Sequence, residues 1–270
     1  MWDSDEHLND FDRFLLETNL VGATSLDELR HRERLLTLKR TQTLKTTHIK
    51  RDFSYKHLKA IHKHIFQDVY TWAGQDRYEM GLYGFMSKGD STFCKGSFLP
   101  KQSKSIFENL KQCSLHEKQR DVDTLAQNLT TFMADLNALH PFREGNGRVQ
   151  RIFINELAHN AGFALDLNLI PKNDMIEASI QAMQGDNTEL LKLIKTNLYS
   201  NTQAKLQRRL DINLNNYGKV SDEKQKQEFL ERANAIKEQT KKFNITLDSK
   251  SLQRLERINQ VQNKERGRGR

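Results

Sequence analysis

His140-Pro-Phe-Arg-Glu-Gly-Asn-Gly-Arg-Val-Gln-Arg151 is the stretch on which the reading of this chain turns. Upstream of it, Leu125, Leu129, Phe132, Met133 and Leu136 recur at helical spacing and run straight into His140. Pro141 ends that helix, because its ring fixes φ and disfavours α geometry at the residue before it. After Gly145-Asn146-Gly147, a second apolar face begins with Val149, Ile152, Phe153 and Leu157, and Gly162 suits the C′ position. The stretch therefore predicts a polar loop held between two helices.

Working outward, the same spacing recurs. Phe53, Leu58, Ile61, Ile65 and Phe66 trace one helix face, and Ile106 with Leu110 traces another. Further helical patterns cover Met175–Met183 and Leu190–Leu198. With only three prolines (Pro100, Pro141 and Pro171), the expected class is all-α. One segment departs from it. Between Gly81 and Pro100, four glycines alternate with Tyr83, Phe85, Phe93 and Phe98, and the pair Gly89-Asp90 predicts a short β-hairpin, with a surface loop as the alternative. No internal repeat is present.

Composition narrows the function classes. The chain has 270 residues, 36% of them hydrophobic, which suffices for one sizeable domain and an appendage. Its mean hydropathy is −0.77 and no apolar run of the roughly 18 residues needed to cross a bilayer exists, so no membrane role is expected. The start, Met-Trp-Asp-Ser-Asp-Glu, lacks the order of a secretory signal. Cys94 and Cys113 read as reduced thiols, and the expected location is cytoplasmic. From Gln203 onward the chain holds 17 Lys/Arg against 9 Asp/Glu, while the first 202 residues hold 26 of each. The net charge of +8 thus belongs to the tail. That tail has sparse apolar positions, with Leu252, Leu255, Ile258 and Val261 able to line a weak amphipathic helix, and ends in Arg266-Gly-Arg-Gly-Arg270.

The loop carries the chemistry. Gly145-Asn146-Gly147 can turn backbone N–H groups toward one point, since glycine permits φ > 0 and has no Cβ. The helix that follows adds its unpaired N–H groups and its positive end, which together make a phosphate nest. Arg148 and Arg151 lie three apart on one side of that helix, where each can fork onto phosphate oxygens; the alternative is that one or both are surface charges or pair with Glu144. Glu144 precedes the nest, where a Mg²⁺ bridging two phosphates would find its one protein carboxylate. Phe142 reads as a buried anchor for the loop. His140, with an unperturbed pKa of about 6.5, is a proton acceptor beside a bound phosphate, and that combination means phosphoryl or nucleotidyl transfer. His57, His62, His64 and His159 read as structural.

With Asn137-Ala-Leu before it, the run resembles the signature of the Fic (filamentation induced by cAMP) family, His-Pro-Phe-x-Asp/Glu-Gly-Asn-Gly-Arg-x-x-Arg, at every fixed position. Phe66, Tyr70, Trp72-Ala73-Gly74 and Arg77 resemble the helix end before the Fic flap, and residues 87–99 resemble the flap hairpin. The resemblance divides the chain into an N-terminal helical extension (1–49), a Fic domain (50–201) and a basic C-terminal tail (202–270), helical or disordered. It implies an all-α core and a protein adenylyltransferase that uses ATP and Mg²⁺. His140 would be the general base toward a target Tyr, Ser or Thr hydroxyl, and Glu144 the metal ligand. Gly145, Asn146 and Gly147 would form the anion hole, with Arg148 and Arg151 on the outer phosphates and Lys88 and Gly89 of the flap near the nucleotide.

The same resemblance implies partners. The target protein would dock on the flap near residues 81–100 by adding a strand. Gly147 argues against the kinase-like relatives, which carry lysine there. The family's inhibitory Ser/Thr-x-x-x-Glu-Gly/Asn pattern fails here, because Thr24 to Glu28 is followed by Leu29. Either the inhibitor is a separate antitoxin-like chain, which is the expectation for a bacterial toxin or translocated effector, or the protein is unrestrained. Transfer of UMP or phosphocholine is a second enzyme reading. A decayed core with a nucleic-acid-binding tail is a third, against which the intact His140, Glu144 and arginines weigh. A basic C-terminus also resembles the signals of chains exported by type IV secretion.

Overall fold

The computed structural model describes residues 10–89, 91–115, 117, 121–165, 167, 170–199, 202–242 and 245–268. Asp90 of the predicted turn, the acidic first six residues and Gly269-Arg270 lie outside them. The described chain is helical, as its spacing predicts: α1 (Asp10–Glu17), α2 (Leu26–Thr43), α3 (Tyr55–Phe66), α4 (Leu99–Gln112), α5 (Val122–Leu139), α6 (Asn146–Asn160), α7 (Lys172–Met183), α8 (Thr188–Asn197), α9 (Thr202–Lys219), α10 (Glu223–Lys242) and α11 (Ser249–Arg268).

Helix α5 is the axis of the core. Asp121 caps its start by accepting from the backbone N–H groups of Asp123 and Thr124, at 3.3 and 2.9 Å. Its apolar side, Leu125, Ala126, Leu129, Phe132, Met133 and Leu136, is buried. Around it pack α4, α6, α7 and α8, and α3 lies between α2 and α6. Ser25 and Ser54 cap α2 and α3 in the same manner.

The glycine-spaced segment is a hairpin. β1 (Ser87–Lys88) pairs antiparallel with β2 (Ser91–Thr92), Lys88 opposite Ser91. A second ribbon was not legible in the sequence. β3 (Ala164–Leu165) pairs with β4 (Leu198–Tyr199), so the helical pattern of Leu190–Leu198 stops at Asn197. Leu165 and Leu198 face each other in this ladder and both are buried, so a tertiary pairing overrides local helix preference there.

The tail is folded. Leu206, Leu210 and Leu214 of α9, Leu230, Ala233 and Ile236 of α10, Leu247 and Leu255 of α11 form their own buried cluster, which Ala164 joins. Leu252 and Ile258 pack against it, whereas Val261 is exposed and does not belong to the face the spacing suggested. The charges lie outside this cluster in pairs such as Lys241–Glu238 at 2.7 Å and Lys237–Glu256 at 2.9 Å. No helix among the described residues is long and apolar enough to cross a membrane. Leu210 is fully buried in the second cluster. Leu210→Ala is expected to cost roughly 2–5 kcal/mol, read from the urea midpoint of the full chain, because truncation there leaves a cavity.

Candidate active site

The turn between α5 and α6 is built on the ring of Phe66. Gly145 sits at φ 83° at the N-cap of α6, and a Cβ on it would overlap that ring. Glycine alone satisfies both the left-handed backbone and the close approach. Behind the ring lies His62, fully buried and stacked on Phe142 at 4.0 Å and Phe66 at 4.7 Å. Its Nδ1 accepts from the Gly74 N–H at 2.9 Å, which leaves Nε2–H to donate to the Glu144 carbonyl at 3.1 Å. His62 is thus structural, as expected, but what it supports is the His140–Arg151 loop itself.

Asn146 closes the turn. Its Oδ1 accepts from the Phe142 N–H at 2.9 Å and its amide donates to the Phe142 carbonyl at 2.7 Å. The side chain is therefore spent inside the loop, and what Asn146 offers an anion is its backbone N–H. The N–H groups of Arg148 and Val149 donate back to Gly145, so those of Asn146 and Gly147 stand ahead of the helix's first bonds. Phe142 is buried, as its anchoring role requires.

His140 occupies the C-cap of α5 in the left-handed region, φ 44° and ψ 62°. Its ring stacks on Phe93 of the flap, centroids 3.7 Å apart and planes 15° apart. Nδ1 lies 3.3 Å from the Asn137 carbonyl, which can only accept; the proton is on Nδ1 and the lone pair on Nε2. Burial, opposed by the Asn137 hydrogen bond and helped by the charges of Arg77 and Lys88, pushes the imidazole pKa down to about 3. The neutral form expected from the sequence is secured by a wider margin than an ordinary histidine would give. The negative charge of an arriving phosphate raises basicity again.

Arg77 holds this geometry. The buried guanidinium donates from Nε to the His140 carbonyl at 3.0 Å and from Nη2 to the carbonyls of Cys94 (2.6 Å) and Leu139 (3.2 Å). The Cys94 N–H donates to Ala138 at 2.8 Å, so the flap and the end of α5 are tied twice. Lys88 lies exposed on β1 with its charge felt at His140, and Gly89 takes φ 56° at the hairpin turn, with open space where a Cβ would be.

The two arginines differ. Arg148 Nη2 donates to Glu33 Oε1 of α2, and Nη1 to Thr37 Oγ1 at 3.0 Å; Glu144 is a further 3.4 Å contact. Arg151 has no hydrogen-bond or ion-pair partner among the described residues, and its guanidinium lies 3.4 Å from where a Gly147 Cβ would stand. Burial, then the Arg148 charge, lowers its pKa from the guanidinium value, yet it remains a cation. Glu144 is one-third exposed, and its Oε1 accepts from the Gly145 N–H at 2.8 Å. Among the described residues no three His, Cys, Asp or Glu gather as a metal cage. One exposed hard carboxylate beside a phosphate nest nevertheless fits a Mg²⁺ that takes its other ligands from phosphate and water.

Glu33, Thr37, Arg77 and His62 complete the site, and none was assigned to it from the sequence. Arg143, the variable position of the run, stacks on Phe11 (4.2 Å) and Phe14 (5.5 Å) of α1.

Two outcomes follow from this geometry. Gly145→Ala is expected to lower the melting temperature, and adding Phe66→Leu to recover part of the loss, because the clash is with that ring. His62 and His140 both have pKa values of about 3 against an ordinary 6.5. Between those values the unfolded chain binds protons that the folded chain does not, so stability rises with pH up to about 6.5 and is level above it. Melting temperatures measured from pH 4 to 8 should show that slope, and His62→Gln should flatten it.

A family model described as Fic/DOC matches residues 52–158. The chain is 34% identical over 194 residues to the protein adenylyltransferase VbhT of Bartonella schoenbuchensis, covering 72% of this chain and 39% of that protein. It is 33% identical over 144 residues to the probable protein adenylyltransferase y4lH of Sinorhizobium fredii, covering 53% of this chain and 72% of the relative. The chain thus spans about two fifths of the length of one of these relatives and under three quarters of the other. Among solved structures, it is similar to BepC of Bartonella tribocorum with bound AMPPNP (25% identity, TM-score 0.59, 67% of this chain and 91% of that one). It is also similar to an ADP-bound Fic domain from Bartonella quintana (26% identity, TM-score 0.62, 67% and 89%). The loop geometry, the flap and these matches agree: the chain belongs to the Fic/DOC family.

Proposed function

We propose that this chain is a protein adenylyltransferase that moves AMP from ATP to a Tyr, Ser or Thr hydroxyl of a target protein. The observation that carries the reading is the pairing, across one short loop, of a neutral imidazole with its lone pair on Nε2 and a half-buried Arg151 that, like the backbone N–H groups beside it, has no partner among the described residues. A base and an anion site so close call for a phosphorylated substrate attacked beside its bound phosphate. The relatives named as adenylyltransferases, and the neighbours with AMPPNP and ADP, favour ATP.

In the reaction, the acceptor oxygen forms a bond to the α-phosphorus while the bond from that phosphorus to the bridging oxygen breaks. His140 Nε2 takes the hydroxyl proton, and pyrophosphate carries away the bonding pair. The N–H groups of Asn146 and Gly147 bind the phosphates, Arg148 and Arg151 neutralise the departing diphosphate, and Lys88 and Gly89 close over the nucleotide from the flap. Glu144 would hold Mg²⁺, which would supply charge neutralisation to the phosphates. The target segment pairs with the flap.

Inhibition by a separate antitoxin-like chain is part of the same reading. Glu28 is supported as no internal brake: its carboxylate accepts from the Thr24 N–H at 3.1 Å and pairs with Arg32, and so is committed to the start of α2. Toxin action and export by type IV secretion accord with neighbours titled VirB-translocated effectors.

Incubating the purified chain in a bacterial lysate with ATP labelled at the α-phosphate should transfer label to protein, and γ-label should not transfer. His140→Ala should reduce transfer by roughly 10²-fold or more, the usual worth of a general base. Equal transfer by the variant, or transfer of the γ-label, would refute the reading. An added mass other than that of AMP would move it to UMP or phosphocholine.

A further inference from the structure

The two arginines of the nest are treated very differently by the rest of the molecule. Arg151 has no partner among the described residues, whereas Arg148 is bound on an entire edge by α2, an element outside the matched stretch of residues 52–158. We propose that Glu33, Thr37 and Tyr70 form a clamp that sets the Arg148 guanidinium in advance for the outer phosphates of ATP, making α2 part of the nucleotide site. This rests on the adenylyl-transfer reading and deepens it.

The clamp is a closed circuit of donors and acceptors. Glu33 uses one carboxylate oxygen for Arg148 and the other for the Tyr70 hydroxyl. Tyr70 is buried in a stack with Trp72 at 4.5 Å, so the glutamate is fixed to the core and is not waving from a surface. Thr37 donates its hydroxyl proton to the Glu33 carbonyl at 2.7 Å, which turns its lone pairs toward Arg148 Nη1. The Phe66 ring lies 4.7 Å from the guanidinium carbon and covers one face. Of five N–H donors, the edge toward α2 takes one from each terminal nitrogen and Glu144 takes a share of a third. Nε–H and the second Nη1 hydrogen remain for a ligand.

Long side chains lose rotamer freedom when they grip a phosphate, and that loss weakens binding. Arg148 has already lost it in the free protein. Its charge is compensated by Glu33, so Arg148 contributes geometry while Arg151 contributes net attraction. A glutamate acting instead as a competitor for the arginine would have to swing away to admit phosphate. Here the second oxygen is held by Tyr70, and the glutamate's own backbone by Thr37, which resists such a swing.

The test is titration calorimetry of the full chain with ATP and with AMP, both with Mg²⁺, alongside melting temperatures. Glu33→Ala should weaken ATP at least about tenfold, the worth of a charge-assisted hydrogen bond, and leave AMP unchanged because AMP lacks the outer phosphates. Glu33→Gln should recover part of the loss, since its amide oxygen still accepts from Arg148. Thr37→Val should show a smaller loss of the same kind. In an Arg148→Ala background Glu33→Ala should add little, as one shared interaction requires. Tighter ATP binding or faster self-modification by Glu33→Ala would overturn the clamp and make Glu33 a brake. Parallel loss of ATP and AMP with a fallen melting temperature, or no change at all, would also overturn it. A wild-type chain that binds neither nucleotide would sink the adenylyl-transfer reading first, and the clamp with it.

Discussion

The ring of Phe66 lies where residue 145 would carry its Cβ, and the site is arranged around that contact. It restricts the position to glycine, and glycine at φ 83° lets the chain turn sharply enough for α6 to start with its N–H groups facing outward. The same ring underlies the Arg148 guanidinium and stacks on His62. His62 in turn holds the Glu144 carbonyl. One aromatic side chain at the end of α3 therefore sets the turn, one of its arginines and the loop bearing the Glu144 carboxylate. Its worth comes from being packed on every side, because a well-packed core transmits position with little give.

Burial has a second effect at His140. A histidine stacked on Phe93, close to the charges of Arg77 and Lys88, is poorly placed to hold a proton at rest. Such an imidazole stays neutral and ready at any cellular pH, at the expense of basicity. In the proposed reaction a polyanionic nucleotide would reverse the local field and raise the basicity of His140. Arg151, partly desolvated and without a charge partner among the described residues, would work in the same direction in that reaction by attracting the nucleotide.

What could be read from the sequence follows the distance over which each feature is determined. The loop from His140 to Arg151 is local: proline stops one helix, glycine starts the next, and the functional residues are separated only by that turn. The hairpin at residues 81–100 is local too. Glu33 contacts Arg148 across 115 positions, within a charged run, Arg30-His-Arg-Glu-Arg34, that has the look of a solvated face. Arg77 and His62 act through backbone carbonyls far along the chain, which leave no mark in residue spacing. β4 needs Ala164 and Leu165 as partners, and nothing near Leu198 announces them. In the tail, Leu206, Leu210 and Leu214 do recur at helical intervals, but a dense background of charge masks a stripe that three helices bury together.

Arg77 joins the flap and the end of α5 with a single side chain, gripping the carbonyls of Cys94 and His140 at once, while Phe93 on the same flap lies flat against the imidazole. Hairpin and imidazole therefore form one mechanical unit. Under the proposed adenylyl transfer, a target segment that tilts the hairpin as it seats would also tilt the imidazole. Poorly seated polypeptides would then be discriminated against in turnover more than in affinity, with selectivity exercised at the moment of proton removal.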